Sequence, residues 1–310
     1  MADFAQLSRL LPVRPATTED RTTGDPPDSA ISGSMSGWRN AVLLLPLGMF
    51  FAIILAGVLL PLPDAGTQSL PDRLLAPVFS GGSWAHPLGT DGLGRDLLAR
   101  ITQGALMSLQ VSVVAASIAA VAGIFCGVVA GMFGGWVDNL LTLLAEVTLT
   151  VPSVVVGVVL TATLGQSRQN LIAILVLGGW ISYARVLRLE TRQLRGSDFV
   201  LAAAVTGGSR WHIGVRHLLP NLAPTVLVLF AQQLGGMMLW EASLTYLGLG
   251  ARPDLVTLGG IVRDGQAQIF GGWWIGVTSG FMVALAIVGF AFAGDWIRNR
   301  LDRGTGTSLA

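Results

Sequence analysis

Long apolar runs alternate with short polar ones along almost the whole chain, and the runs are helix-length rather than strand-length. A hydrocarbon core of ~30 Å takes about 20 residues of helix, and six stretches approach that length: 41–62, 109–133, 140–164, 171–187, 222–240 and 273–293. The pattern predicts an all-α, polytopic membrane protein with six transmembrane helices. The first run is too long for the apolar part of a cleavable signal peptide and follows a long polar stretch. That stretch, 1–38, is rich in Pro, Ser, Thr, Gly and Asp and has little to bury, so an unstructured tail is expected. Residues 39–300 then form one membrane domain, with a short second tail over 301–310.

Composition agrees: 52% of residues are hydrophobic, 12% are charged and the mean hydropathy is +0.65. Soluble domains carry about 25% charged residues. The net charge of +1 points to no partner, and nucleic acid is not among the expected ones. Arginine placement sets orientation. The loop after the fourth run holds Arg185, Arg188, Arg192, Arg195, Arg210 and Arg216 against Glu190 and Asp198. The C-terminal tail adds Arg298, Arg300 and Arg303, whereas basic and acidic residues balance in 64–100 and 241–264. Both termini and the 199–220 segment are therefore expected in the cytoplasm, the multi-pass chain lying in a bacterial inner membrane.

Several chemistries are excluded by residue type. All 19 basic residues are Arg, so the Lys of a phosphate-binding P-loop is missing and the chain carries no such motor. His86, His212 and His217 lack metal-ligand spacing, and the lone Cys126 allows neither an intrachain disulfide nor a thiolate site. No metal site, catalytic residue or resident cofactor is expected. One acid, Glu146, falls within a run. An intramembrane charge costs roughly 2.5–3.5 kcal/mol on insertion scales, so it is paired or functional. Packing and a place on a translocation path both stay open for Glu146, and a proton-coupled carrier working through it is an alternative reading.

The segment "FVLAAAVTGGSRWHIGVRHLLPNLAP" interrupts this oily pattern. Its alanines favour helix, Gly207 and Gly208 break it, Ser209 can cap a second short helix over 211–219, and Pro220 suits the first turn of the next span. The spacing of Ala202 and Ala203, then Gly207, then Leu219 and Pro220 resembles the EAA loop of bacterial ABC importer permeases. Leu201 stands where that pattern has an acid, and His217 where it usually has an apolar residue.

Further stretches narrow the resemblance. "HPLGTDGLGRDLLAR" (86–100), "GGWVDNLLTLLAEVTLTVPS" (134–153) and "EASLTYLGLGARPD" (241–254) are similar to segments of dipeptide, oligopeptide and nickel permeases, and the long N-terminal tail favours the second, C-type, subunit of their heterodimers. Leu106 and Leu258 depart from the family's usual Arg and Trp. The resemblance implies a type I ABC importer permease fold with a cytoplasmic EAA coupling loop over 199–220. It implies a non-catalytic half of the translocation pathway for peptides, with importers of nickel or haem as alternatives. The implied partners are a second homologous permease, two ABC ATPase subunits that bind the ATP and Mg, and an extracytoplasmic substrate-binding protein. Ala202, Ala203, Gly207, His217, Leu219 and Pro220 would meet an ATPase. Asp91, Arg95, Asp96 and Glu241 would dock the binding protein or hold the outer loops together.

Overall fold

The computed structural model describes the backbone of residues 29–250, 252 and 255–306, with side chains within 43–301. Contacts divide the chain into a short unit, Met1–Arg39, and a large one, Asn40–Ala310, that holds the core. Residues 1–28 of the expected tail, and 307–310, lie outside the described residues.

Among the described residues the architecture is helical, apart from one isolated antiparallel bridge between Thr90 and Asp96. In chain order the helices are α1 (Ser29–Leu59), α2 (Leu97–Phe133), α3 (Gly135–Thr150), α4 (Ser153–Leu164), α5 (Arg168–Arg195), α6 (Asp198–Val205), α7 (Arg210–Ile213), α8 (Leu219–Tyr246), α9 (Leu258–Gln266) and α10 (Trp273–Gly306). Both tail boundaries shift, because α1 starts at Ser29 and α10 runs to Gly306.

Four helical stretches are long and apolar enough to cross a membrane: Leu97–Phe133, Arg168–Arg195, Arg210–Tyr246 and Trp273–Leu301. The run expected as one span over 140–164 is instead two helices, α3 and α4, bent by 76°. Pro152 is the cause. A proline clashes with helical geometry in the residue before it, and Val151 is extended at φ −87° and ψ 117°. Counting the bent pair once gives five spans among the described residues, with the apolar part of α1, Leu43–Leu59, shorter. The fifth span also begins earlier than its apolar run. α7 passes through one wide π turn, Gly214–Leu218, straight into α8.

Small residues set the closest helix pair. Gly123, Gly127 and Gly131 of α2 recur every fourth residue and face α5. A methyl group on Gly127 would sit 2.8 Å from the Ala184 carbonyl, and one on Gly131 would sit 2.6 Å from Thr191 Cβ. In lipid there is little hydrophobic gain on helix association, so close backbone approach through glycine is what packs such helices. Tyr183, Leu187, Leu171 and Ile174 are fully or almost fully buried behind this seam. α1 joins α10 through Phe50 and Phe290, whose rings meet edge-on at 6.5 Å.

Candidate functional site: the 199–220 loop and its supports

α6 and α7 meet at a tight glycine turn. α6 ends at Val205, and the Gly208 and Gly207 amides donate to the carbonyls of Ala203 and Ala204, at 3.0 and 3.1 Å. This crossed pair is a Schellman motif, which needs a left-handed residue just past the helix. Gly207 supplies it, with φ +86°. Thr206 tightens the same end, its hydroxyl donating to the Ala202 carbonyl at 3.1 Å. Ser209 then caps α7 by accepting from the His212 amide at 3.2 Å. The bend and its cap are where the sequence places them. The second helix differs, because α7 has four residues and continues through the π turn rather than ending before Pro220.

The loop is anchored from beneath by Val200, Ile213, Leu218 and Leu222, all buried. Gly214 sits against Met132 at the end of α2, and the Arg210 guanidinium lies 5.8 Å from the Phe133 ring centre. Its other face is apolar and exposed: Leu201 is 52% exposed, Val205 88% and Trp211 58%. Ala202, Leu219 and Pro220 are also exposed, Ala203 half-buried, and His217 half-buried with its ring 6.0 Å from that of His212. Leu201 lines a cavity of about 240 Å³ together with Arg195, Ala204 and Arg210.

A salt-bridge clamp next to this loop escapes a motif-based reading. Asp138, in the first turn of α3, is 3% exposed. Arg188 of α5 grips both its oxygens, Nη2 at 2.8 Å, and Arg192 Nη2 also donates to Oδ2. Such forked guanidinium–carboxylate pairing is strong and directional. The signal was present as two arginines four apart on one helix, but these read only as an orientation marker. Glu146 lies two turns further along α3, exposed, amid exposed Leu143, Leu144, Val147 and Leu149.

The residues named for the other side behave differently. Asp91 Oδ1 accepts from the backbone amides of Leu93 and Arg95, at 2.8 and 3.0 Å. Its Oδ2 accepts from Arg95 Nε at 2.7 Å and from Arg100. Burial pushes the Asp91 carboxyl up, but hydrogen bonds from the Arg95 and Leu93 amides, the charge of Arg100 and the hydrogen bond from the Arg95 side chain together hold it below the usual carboxylate range. Asp96 caps α2 by accepting from the Ala99 amide at 2.8 Å, and its second oxygen meets His86 Nδ1 at 2.8 Å. Both acids are 2% exposed and consumed by their own loop. Glu241 is placed by the sequence in an outer loop; it lies instead inside α8, wholly buried, accepting from the Thr245 hydroxyl at 3.0 Å. It faces inward because α9 folds back onto this end of α8, Gly259 packing directly on Ala242.

Comparison with known proteins is consistent with this geometry. Residues 123–307 match the family model described as "binding-protein-dependent transport system inner membrane component". Among curated relatives, the dipeptide transport system permease protein DppC of Alkalihalophilus pseudofirmus is 31% identical over 93% of this chain and 96% of its own. The probable D,D-dipeptide transport system permease protein DdpC of Escherichia coli is 33% identical over 84% of each chain. Among solved structures, an inward-facing MetNI methionine ABC transporter superposes with a TM-score of 0.53 at 20% identity, covering 66% of this chain and 95% of that one. That likeness shows the fold alone. With a family match over more than half its length and relatives spanning nearly all of it, the chain belongs to the binding-protein-dependent transport system inner membrane component family, as a permease subunit of an ABC importer.

Proposed function

We propose that this chain is the second of two homologous permease subunits in an ATP-driven peptide importer, and that its 199–220 loop is the handle grasped by a separate ATPase. The carrying observation is the loop itself: a glycine-locked bend, anchored from below, that leaves Leu201, Val205 and Trp211 exposed to a partner. Exposed apolar patches of this kind mark interaction surfaces. Ala202 and Ala203 allow close approach, Gly207 sets the bend, and Leu219 and Pro220 begin the stiff helix that carries motion into the membrane. With Leu201 in place of an acid, this corner of the handle makes apolar contact, and Arg195 and Arg210 flank it without an acid at that position.

ATP and Mg belong to the ATPase subunits. The peptide class follows from the dipeptide and oligopeptide permeases among the relatives. Both termini and the handle lie in the cytoplasm by the arginine count. An extracytoplasmic binding protein docks on the opposite side, where Asp91 and Asp96 act by holding the loop's shape and Arg95, with its side chain 20% exposed, is the member a docked protein can reach. Glu146 lies on the open flank of α3, which suits a position on the pathway or against the second permease.

The test is purification from the native membrane through a tag on this chain. Two ATPase chains and a second permease should co-purify, and the complex should hydrolyse ATP faster with a loaded binding protein. Peptide uptake into liposomes by this chain alone, driven by a proton gradient, would overturn the proposal.

A further inference from the structure

A notch of about 130 Å³ opens between the middle of α5 and the middle of α8, two of the helices long and apolar enough to cross a membrane. Gly178, Gly179 and Ser182 form one side of it, and Gln233, Gly236 and Trp240 the other. The glycines make the room. A methyl group on Gly178 would stand 3.0 Å from the Trp240 ring, and one on Gly236 would meet nothing outside its own helix backbone except Gln233 Oε1, at 3.8 Å. Gln233 Nε2 donates to the Gly179 carbonyl at 3.3 Å. That bond ties the carboxamide to the notch, and its second N–H and its Oε1 have no partner among the described residues.

Lipid offers no hydrogen bonds, so a hydroxyl exposed to it turns back onto its own helix. Ser117, Thr150, Thr163 and Ser243 do so, each exposed and each donating to the carbonyl four residues earlier. Ser182 is also exposed, yet it makes no hydrogen bond among the described residues. Polar groups with unused bonding capacity at this depth face a water-filled or substrate-filled space rather than lipid. A carboxamide carries a donor and an acceptor side by side, as a peptide unit does, and a hydroxyl can serve as either. The notch is smaller than the roughly 300–1,000 Å³ of a site that encloses its ligand. It is a point of contact, and a route through a membrane needs contacts weak enough to release what they hold. We propose that the α5–α8 notch lies on the translocation path, where Gln233 and Ser182 hydrogen-bond the backbone amides of a passing peptide. The inference rests on the peptide-importer reading and deepens it.

The test uses the full chain with its co-purifying subunits in nanodiscs, with Cys126, the one native cysteine, replaced by Ser. A single cysteine is placed by Ser182→Cys, a near-isosteric change at an exposed position, and a charged, water-borne methanethiosulfonate is the probe. Modification should be on the order of tenfold faster than for Ser117→Cys, because the thiolate that reacts forms in water and not in lipid. Trialanine added to both faces should slow it. Gln233→Leu in the same background should raise the trialanine concentration needed for protection by about two- to tenfold, the loss of one hydrogen bond. Co-purification of the partner subunits checks that each variant assembles. Equal rates for the two cysteines overturn the proposal, since Ser182 then faces lipid or is covered by the second permease. Protection that Gln233→Leu leaves unchanged overturns it too, since the peptide then passes without using the carboxamide. Trialanine uptake by the reconstituted complex is measured alongside. Uptake without protection refutes the contact and leaves the peptide reading. Absence of both uptake and protection, with the cysteine still fast to react, refutes the peptide reading and leaves a water-filled path.

Discussion

Substitution at Gly207 separates backbone conformation from partner contact, because the chain itself leaves that position open. Its φ is +86°, and a methyl group built there meets no atom within 4 Å. Alanine therefore meets no clash in the chain, only the left-handed strain of an L-residue, about 1–2 kcal/mol. That amounts to a factor of roughly 5 to 30 in the population of the bent loop. Asparagine tolerates this region best among non-glycine residues, so it should lose the least. ATPase stimulation and uptake by the reconstituted importer should fall in the order Gly, Asn, Ala, with membrane insertion unchanged. Valine adds β-branching to the strain and should fall furthest. If Asn is as damaging as Ala, the loss comes from bulk against the ATPase groove, and the conformational explanation is wrong. Full activity of the Ala variant would remove Gly207 from the coupling mechanism altogether.

Asp138→Asn should lower the thermal stability of the detergent-solubilised chain by about 1–3 kcal/mol, because it strips the carboxylate from two guanidiniums. Arg188 and Arg192 are 26% and 44% exposed, so water screens part of the loss, and Arg188→Gln should cost more than Arg192→Gln; the reverse order would contradict the clamp's geometry. Asp91 gives a pH signature. Its carboxyl is held below the ordinary value of 3.8, so the stability it contributes is present above that value and is lost as pH falls through the depressed one. Amide exchange across 89–96 should stay protected at pH 4 in the wild type and be raised at every pH in Asp91→Asn; an unchanged profile in the variant would refute the assignment. In the α2–α5 seam, Gly131→Val should destabilise by about 1–3 kcal/mol or block folding, by overpacking. Gly280→Ala, where a methyl group meets nothing within 4 Å, should be neutral by the same thermal assay.

The sequence made legible what depends on local pattern. Hydropathy located the apolar runs, and Gly207 followed by Ser209 marked a turn and a helix cap that the structure contains. What escaped was tertiary. Pro152 lies inside a long apolar run, and hydropathy does not weigh the steric demand of one residue, so a bent pair read as a single span. Asp138 has no local partner; its arginines are 50 and 54 residues away. Arg100 meets Asp264, 164 residues distant. Glu241 read as a loop acid because apolar density falls off near Trp240, yet α8 continues to Tyr246 and α9 covers it.

The clamp and the bend in α3–α4 also bear on how a pull on the handle could reach the membrane path. α5 ends at Arg195 and joins α6 through Gly196 and Ser197, so the handle hangs directly from the helix whose last turns hold Asp138. Asp138 opens α3, and α3 meets α4 across a 76° bend at Val151 and Pro152. A displacement of α6 that drags the end of α5 would thus swing α3, and Glu146 with it, about the proline. Spatial continuity alone does not establish such coupling. A double-mutant cycle does: Gly207→Ala and Asp138→Asn, singly and together, read as binding-protein-stimulated ATPase. If the two act on one mechanical connection, the second substitution should cost less once the first is present, with an interaction energy of at least 0.5 kcal/mol. Losses that add within about 0.3 kcal/mol would mean that the clamp supports the fold without carrying the stroke.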